Sequence, residues 1–170
     1  MGPTKKGERY HFTAPLQRLT GEYTWYFIEF PFDVQEQFGT KGRVRVKTLM
    51  NGHPFDRALM PQKSGVHILI LGGDIRRQTK VRRVGDRVEV ELWKDPEPDK
   101  VTLPEALEET LEFMPEFGAF WSKLKPGMQR SMAYWVGSAK TEATQAKRIA
   151  ELLRRFEEDD WHFGGRRIRT

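Results

Sequence analysis

The 170-residue chain has no cysteine, which excludes disulfides, thiolate zinc sites and a cysteine nucleophile together. No apolar run approaches the roughly 20 residues that a membrane helix needs. The opening residues, MGPTKKGERYHF, are basic but lead into no apolar stretch. No secretory signal is therefore expected, and the expected compartment is cytoplasmic. GxSxG, HExxH and GxxxxGK[ST] are all missing, so neither a serine-hydrolase elbow, a zinc-protease helix nor a phosphate-cradling P-loop is present. The four histidines, His11, His53, His67 and His162, show no ligand spacing, and neither a metal nor a cofactor is expected.

What remains is ample for a folded protein. Apolar residues make up 38% of the chain, with 11 Phe and 5 Trp to supply large buried surfaces. The charge is unevenly shared. Residues 1–100 carry 18 Lys and Arg against 13 Asp and Glu, whereas residues 101–170 carry 11 of each. The whole excess of +5 thus lies in the first part, which permits anionic partners there.

The first hundred residues alternate with period 2. Strands are predicted over Tyr10–Leu16, Glu22–Phe30, Gly42–Leu49, His53–Ala58, Val66–Leu71 and Arg87–Trp93, and Asn51-Gly52 is a strong hairpin signal. In Glu22–Phe30 both faces are apolar, which predicts a central strand or one packed on another domain. Asp33 and Gly39 are the predicted caps of a short helix, and a helical turn is predicted over Asp74–Gln78. Short alternating strands argue for a small closed β-barrel, because closure removes exposed edges.

Asp95-Pro96-Glu97-Pro98-Asp99 reads as a linker, and beyond it the apolar period becomes 3.6. Thr102 and Glu105 are spaced as a capping box, with Leu103, Leu107, Leu111 and Met114 on one face. Pro115 and Pro126 each open a helix, and Thr141 caps the last, after a break at Ala139-Lys140-Thr141. Lys140 and Arg148 are expected to pair with acids across the bundle. The predicted fold class is α+β: a small barrel over residues 8–95, a helical bundle over 102–158 and a basic, disordered tail over 159–170.

The order of several short motifs adds a resemblance. In the first half they are Phe38-Gly39-Thr40-Lys41-Gly42, Arg43-Val44-Arg45-Val46, Asn51-Gly52, Pro54-Phe55, Leu59-Met60-Pro61, His67, Ile75-Arg76 and Gly85-Asp86. In the second they are Pro104-Glu105, Phe120, Tyr134-Trp135-Val136, Ala139-Lys140, Thr144 and Lys147-Arg148-Ile149. Together they resemble the bacterial YdeI/OmpD-associated (bacteriocin-protection-like) family, whose helical domain follows a small β-barrel of unassigned function. The resemblance implies a double-split-like barrel, similar in fold to DNA-binding transition-state regulators, and an association with bacteriocin resistance or stress. Two departures stand out: Gln145 where the family tends to show Arg, and Lys125-Pro126-Gly127-Met128 where it often shows Ser-Pro-Ser-His.

Three constellations bear on chemistry. Leu71-Gly72-Gly73-Asp74-Ile75-Arg76-Arg77 reads as a strand, a glycine turn and a helix start, where backbone N–H groups and Arg76 or Arg77 would hold an anion. The structural alternative is a tight turn with Arg76 paired to a carboxylate. His67 alternates with apolar strand residues, as does His11, so both are candidates for a shared interior and His67 for acid–base or ligand contact. The run Arg76–Arg87, with Lys80, Arg82 and Arg83, and the alternating Arg43, Arg45 and Lys47 are candidates for one phosphate-contacting patch. Spacing reveals no exposed aromatics that would serve as a stacking platform.

These features point to a non-enzymatic binding module for an anionic ligand or macromolecular partner. A small-molecule or enzymatic site at the barrel–bundle junction, centred on His67 and Arg76, is one alternative. A weak nucleic-acid binder is the other.

Overall fold

In the computed structural model, which describes residues 2–159, 162–163 and 166–167, the chain divides into two compact units at Pro98/Asp99. The first unit is a single antiparallel sheet. Its strands are β1 (Thr4–Lys6), β2 (Arg9–Pro15), β3 (Gln17–Thr20), β4 (Thr24–Glu29), β5 (Val44–Met50), β6 (His53–Pro61), β7 (His67–Ile70) and β8 (Arg87–Lys94). They lie in the order β1-β2-β8-β5-β6-β7-β4-β3. Two short helices interrupt them, α1 (Val34–Phe38) and α2 (Gly73–Thr79).

Alternation decides which face turns inward. Val44, Val46, Thr48 and Met50 of β5 are buried, as are Val88, Val90 and Leu92 of β8. The sheet curls around this face. Although four strands separate β2 from β4 in the ladder, the Phe12 and Phe30 rings lie 5.7 Å apart, and Tyr10 meets Phe30 at 5.4 Å. Burying each such side chain contributes about 1.5–3 kcal/mol. The ladder nevertheless ends at β1 and β3, so the result is a half-barrel with two edges; the ladder does not show the expected closure.

The caps of α1 follow the sequence. Asp33 accepts from Glu36 N–H at 2.9 Å, and Gly39 takes the left-handed conformation at φ 72° that ends the helix. Asn51-Gly52 forms the β5–β6 turn with both residues at positive φ. β4 departs from expectation: it lies next to the last strand, and Trp25 on its outer face is exposed. β1 and β3 carry little apolar alternation, and the sequence reading misses them.

The second unit contains α3 (Glu105–Phe113), α4 (Pro115–Lys123), α5 (Pro126–Gly137) and α6 (Glu142–Glu157). Leu107, Phe117, Trp121, Met132, Val136 and Leu152 form its core. Gly118 allows α4 to approach α3, since a Cβ there would meet Leu111 O at 2.7 Å. The capping box at Thr102 does not form. Pro104 holds the preceding residue extended, so the helix starts only after it, with Pro104 itself as an N-cap lacking a side-chain bond. Thr141 does cap α6, accepting from Thr144 N–H at 3.1 Å. Among the described residues Arg148 pairs with no acid across the unit; it donates to Trp135 O and Ser138 Oγ, closing the end of α5. Within the tail expected to be disordered, His162–Phe163 (β9) and Arg166–Arg167 (β10) pair antiparallel. The rest of that expectation, from Asp160 onward, lies outside the described residues.

Candidate functional site

The glycine turn after β7 is where most of the predicted residues meet. Gly72 is the N-cap of α2 and has no side-chain cap bond. A Cβ at Gly72 would lie 3.0 Å from Asp74 Oδ1, so that carboxylate folds back over the turn. At Gly73 a Cβ would lie 3.5 Å from Arg77 Nη1 and 3.8 Å from Arg76 Nη2. Two guanidinium groups therefore converge on one backbone position. Arg76 is held from two sides: its Nε donates to Leu71 O at 3.3 Å, and its guanidinium lies 4.0 Å from the centre of the Tyr26 ring.

Two residues outside the predicted set also belong here. Arg57 of β6 donates from Nη2 to Ile70 O at 2.7 Å, reaching the end of β7 from the opposite side. Arg18 of β3 stands directly across from Tyr26 in the ladder and is exposed. The signal for Arg57 was its in-register pairing with Val46, an inward residue, which turns a charged side chain toward the interior. For Arg18 the sequence carried no signal, because β3 itself was not evident.

The basic run after α2 is braced by its single acid. Asp86 Oδ2 accepts Arg83 N–H at 2.8 Å and Arg82 N–H at 2.9 Å. Those two backbone bonds, Arg83 first, hold the Asp86 carboxyl below its ordinary value. Gly85 N–H and Leu16 N–H tie the same loop to the end of β2, bonding Leu16 O and Asp86 O. The backbone is fixed while the side chains of Arg77, Lys80, Arg82, Arg83 and Arg87 stay exposed. Lys80 ends α2 in the left-handed conformation, at φ 59°.

The second basic row does not join this patch as freely. Lys47 donates to Asp56, its cross-strand partner, at 2.9 Å, and that bond raises the Lys47 pKa. Arg45 is half-buried, and Arg43 is exposed. The histidines separate. His67 faces inward, is only 4% exposed, and bonds Gly42 O through Nε2 at 2.9 Å. A carbonyl only accepts, so Nε2 carries the proton, and the buried Nδ1 has no partner. His11 lies on the outer face, in an open groove with Glu89 and Glu91, so the two histidines share no interior. Among the described residues no group of three His, Asp or Glu side chains is placed to hold a metal.

The aromatics that spacing did not reveal are on the β3–β4 hairpin. Tyr23 is 67% and Trp25 48% exposed, and Leu19 stands opposite Trp25. No described helix is long and apolar enough to cross a membrane.

Comparison with known proteins agrees with this two-part build. Residues 12–92 match a domain of unknown function (DUF1905), and residues 100–159 match the family described as bacteriocin-protection, YdeI or OmpD-associated. None of the curated proteins matches the chain. The curled sheet is thus similar to a domain of unknown function, and the helical unit to the YdeI/OmpD-associated family.

Proposed function

We propose that the protein is a non-enzymatic binding module whose barrel-like domain, residues 8–95, recognises an anionic partner. The helical domain, residues 102–158, serves as the surface toward other proteins. The observation that carries this reading is the braced loop at Asp86. It spends the one local carboxylate on backbone N–H groups and leaves Arg82, Arg83 and Arg87 pointing into solvent. A rigid loop presenting unpaired cations loses little entropy when an anion arrives. We place the protein in the cytoplasm of a bacterium, and a part in resisting bacteriocins follows from the family description alone.

Nucleic acid is the second reading, favoured by exposed Tyr23 and Trp25 on the same domain as the cations. Fluorescence anisotropy with a generic labelled duplex and a single strand at low salt tests both. Phosphate contacts should weaken steeply with salt, and replacing Arg82 and Arg83 together by Gln should flatten the log–log salt slope by about 1–2 units. Absence of binding to either strand or to another polyanion at tens of micromolar protein would sink both readings.

A further inference from the structure

We propose that the open edge of the sheet at β3 takes up an extended segment of another protein as an added antiparallel strand, one in which acidic residues alternate with apolar ones. The proposal rests on the anionic-partner reading above and names the class of that partner.

The backbone register defines the edge. Leu16 N–H bonds Asp86 O and Leu16 O accepts Gly85 N–H, both at 2.8 Å, so the β2–β8 ladder runs one step past β2. There it stops, because Gly85 takes φ 95° and the chain before it bends into the loop braced by Asp86. In an extended chain successive residues turn their N–H and C=O to opposite sides. Those of Arg18 and Thr20 therefore point the same way as those of Leu16, to the side that β8 has left. The neighbouring strand agrees independently. Leu71 N–H bonds Tyr26 O at 2.8 Å, so Tyr26 turns its backbone groups toward β7, and Arg18, directly across from it, has its own turned to the open edge. The ladder ends at β3.

The side chains decide which strand fits. Arg18 shares the inner face of Tyr26 and Ile28 yet is exposed at the rim. Leu19 lies on the outer face beside Trp25, its cross-strand partner, and is 58% exposed. A residue added opposite Arg18 puts its side chain on the face of Arg18, and its two neighbours reach the face of Leu19. An acid flanked by apolar residues meets both. At the Leu16 end of the edge, Arg82 and Arg83 are exposed on the loop tied to Leu16, so further acids find cations there. Against these three cations β3 and its turn carry a single acid, Glu22, and Asp86 is spent on backbone. The same charges disfavour a second copy as the occupant, because self-pairing of β3 would set two cationic edges side by side.

The test is fluorescence anisotropy of a short labelled peptide alternating Glu and Val, titrated with the full chain at matched ionic strength. Methylating the backbone nitrogens of its Glu residues removes the donors that face β3 and should weaken binding about tenfold or more. Methylating those of its Val residues, which face away, should leave the affinity unchanged. Arg18→Glu should weaken the peptide about three- to tenfold, and should bind a Lys–Val twin more tightly than the unaltered chain does. Both Arg18 and Leu19 are exposed, so neither variant threatens the fold. Lys123→Gln, which removes one positive charge from the helical unit, should change nothing. Equal loss on methylating either set of nitrogens, or no loss with either, would overturn strand addition. If a labelled single-stranded oligonucleotide binds but the peptide does not at hundreds of micromolar protein, this site is overturned and the broader anionic reading stands. Failure of both would overturn both. A dimer in sedimentation that Leu19→Ser dissociates would give the edge to a second copy and overturn the proposal.

Discussion

The two units treat their charges in opposite ways. At the end of α6 in the helical unit two arginines are spent internally: Glu151 accepts from Arg154 at 2.9 Å and from Arg155 at 2.8 Å, and Arg154 also pairs with Glu158. In the sheet unit, Arg77, Lys80, Arg82 and Arg83 have exposed side chains, and the one acid of the loop binds backbone. The difference does not come from composition alone. Helical spacing places a Glu three or four residues from an Arg on the same face, so pairs form within one element. A turn gives its side chains no such neighbours, and they remain available to partners outside the chain.

The largest expected effects test whether the units are separate in stability as they are in charge. Leu69→Ala in the sheet core and Leu152→Ala in the helical core should each cost about 2–5 kcal/mol, both residues being fully buried. Hydrogen exchange read by mass spectrometry should show loss of protection confined to residues 1–98 for the first and 99–159 for the second. Joint loss in both units would break the comparison. Gly118→Ala should cost about 1–3 kcal/mol by forcing α3 and α4 apart, seen as a lower denaturation midpoint of the helical unit, because the added Cβ meets backbone that cannot rotate away.

A further pair of variants sharpens the charge contrast. Replacing Arg154 and Arg155 by Gln removes as much positive charge as replacing Arg82 and Arg83, yet anisotropy with a polyanion should respond only to the second pair. Equal responses would mean that net charge, not presentation, governs binding. The smallest effect concerns pH. Arg154 first, then Arg155, lowers the Glu151 pKa from 4.5 to about 2. A depressed carboxylate stabilises the fold above its unfolded value, and that contribution fades as pH falls from 4.5 toward about 2. Glu151→Gln should therefore flatten the stability of the helical unit across that window, measured by urea denaturation at successive pH values. Because the pair is exposed, the change should be small.

Elements with their own local signals were legible in the sequence. Asp33 and Gly39 bracket α1, Asn51-Gly52 turns β5 into β6, and Thr141 starts α6, because caps and tight turns depend on residues three or four apart. Errors arose where a neighbour distant in sequence decides. Thr102 fails as a cap because Pro104 delays the helix, and Arg148 binds the end of α5, where a carboxylate was expected. β1 and β3 form because an adjacent strand offers a ladder, not because their residues alternate.

The same division holds for the candidate site. Gly72, Gly73, Arg76 and Arg77 lie within one short stretch, Gly72-Gly73-Asp74-Ile75-Arg76-Arg77, so the sequence by itself placed them on one turn. That Arg57 reaches the carbonyl of Ile70 and Arg18 stands across from Tyr26 is a matter of strand order, β6-β7-β4-β3, which no local pattern contains. Sequence determined the two-part build and its charge asymmetry, since periodicity and composition are properties of the chain. Tertiary structure alone decided which cations converge and which face solvent: pairing energies between strands depend on residues far apart along the chain, and the curl follows from burying one face of the sheet against itself.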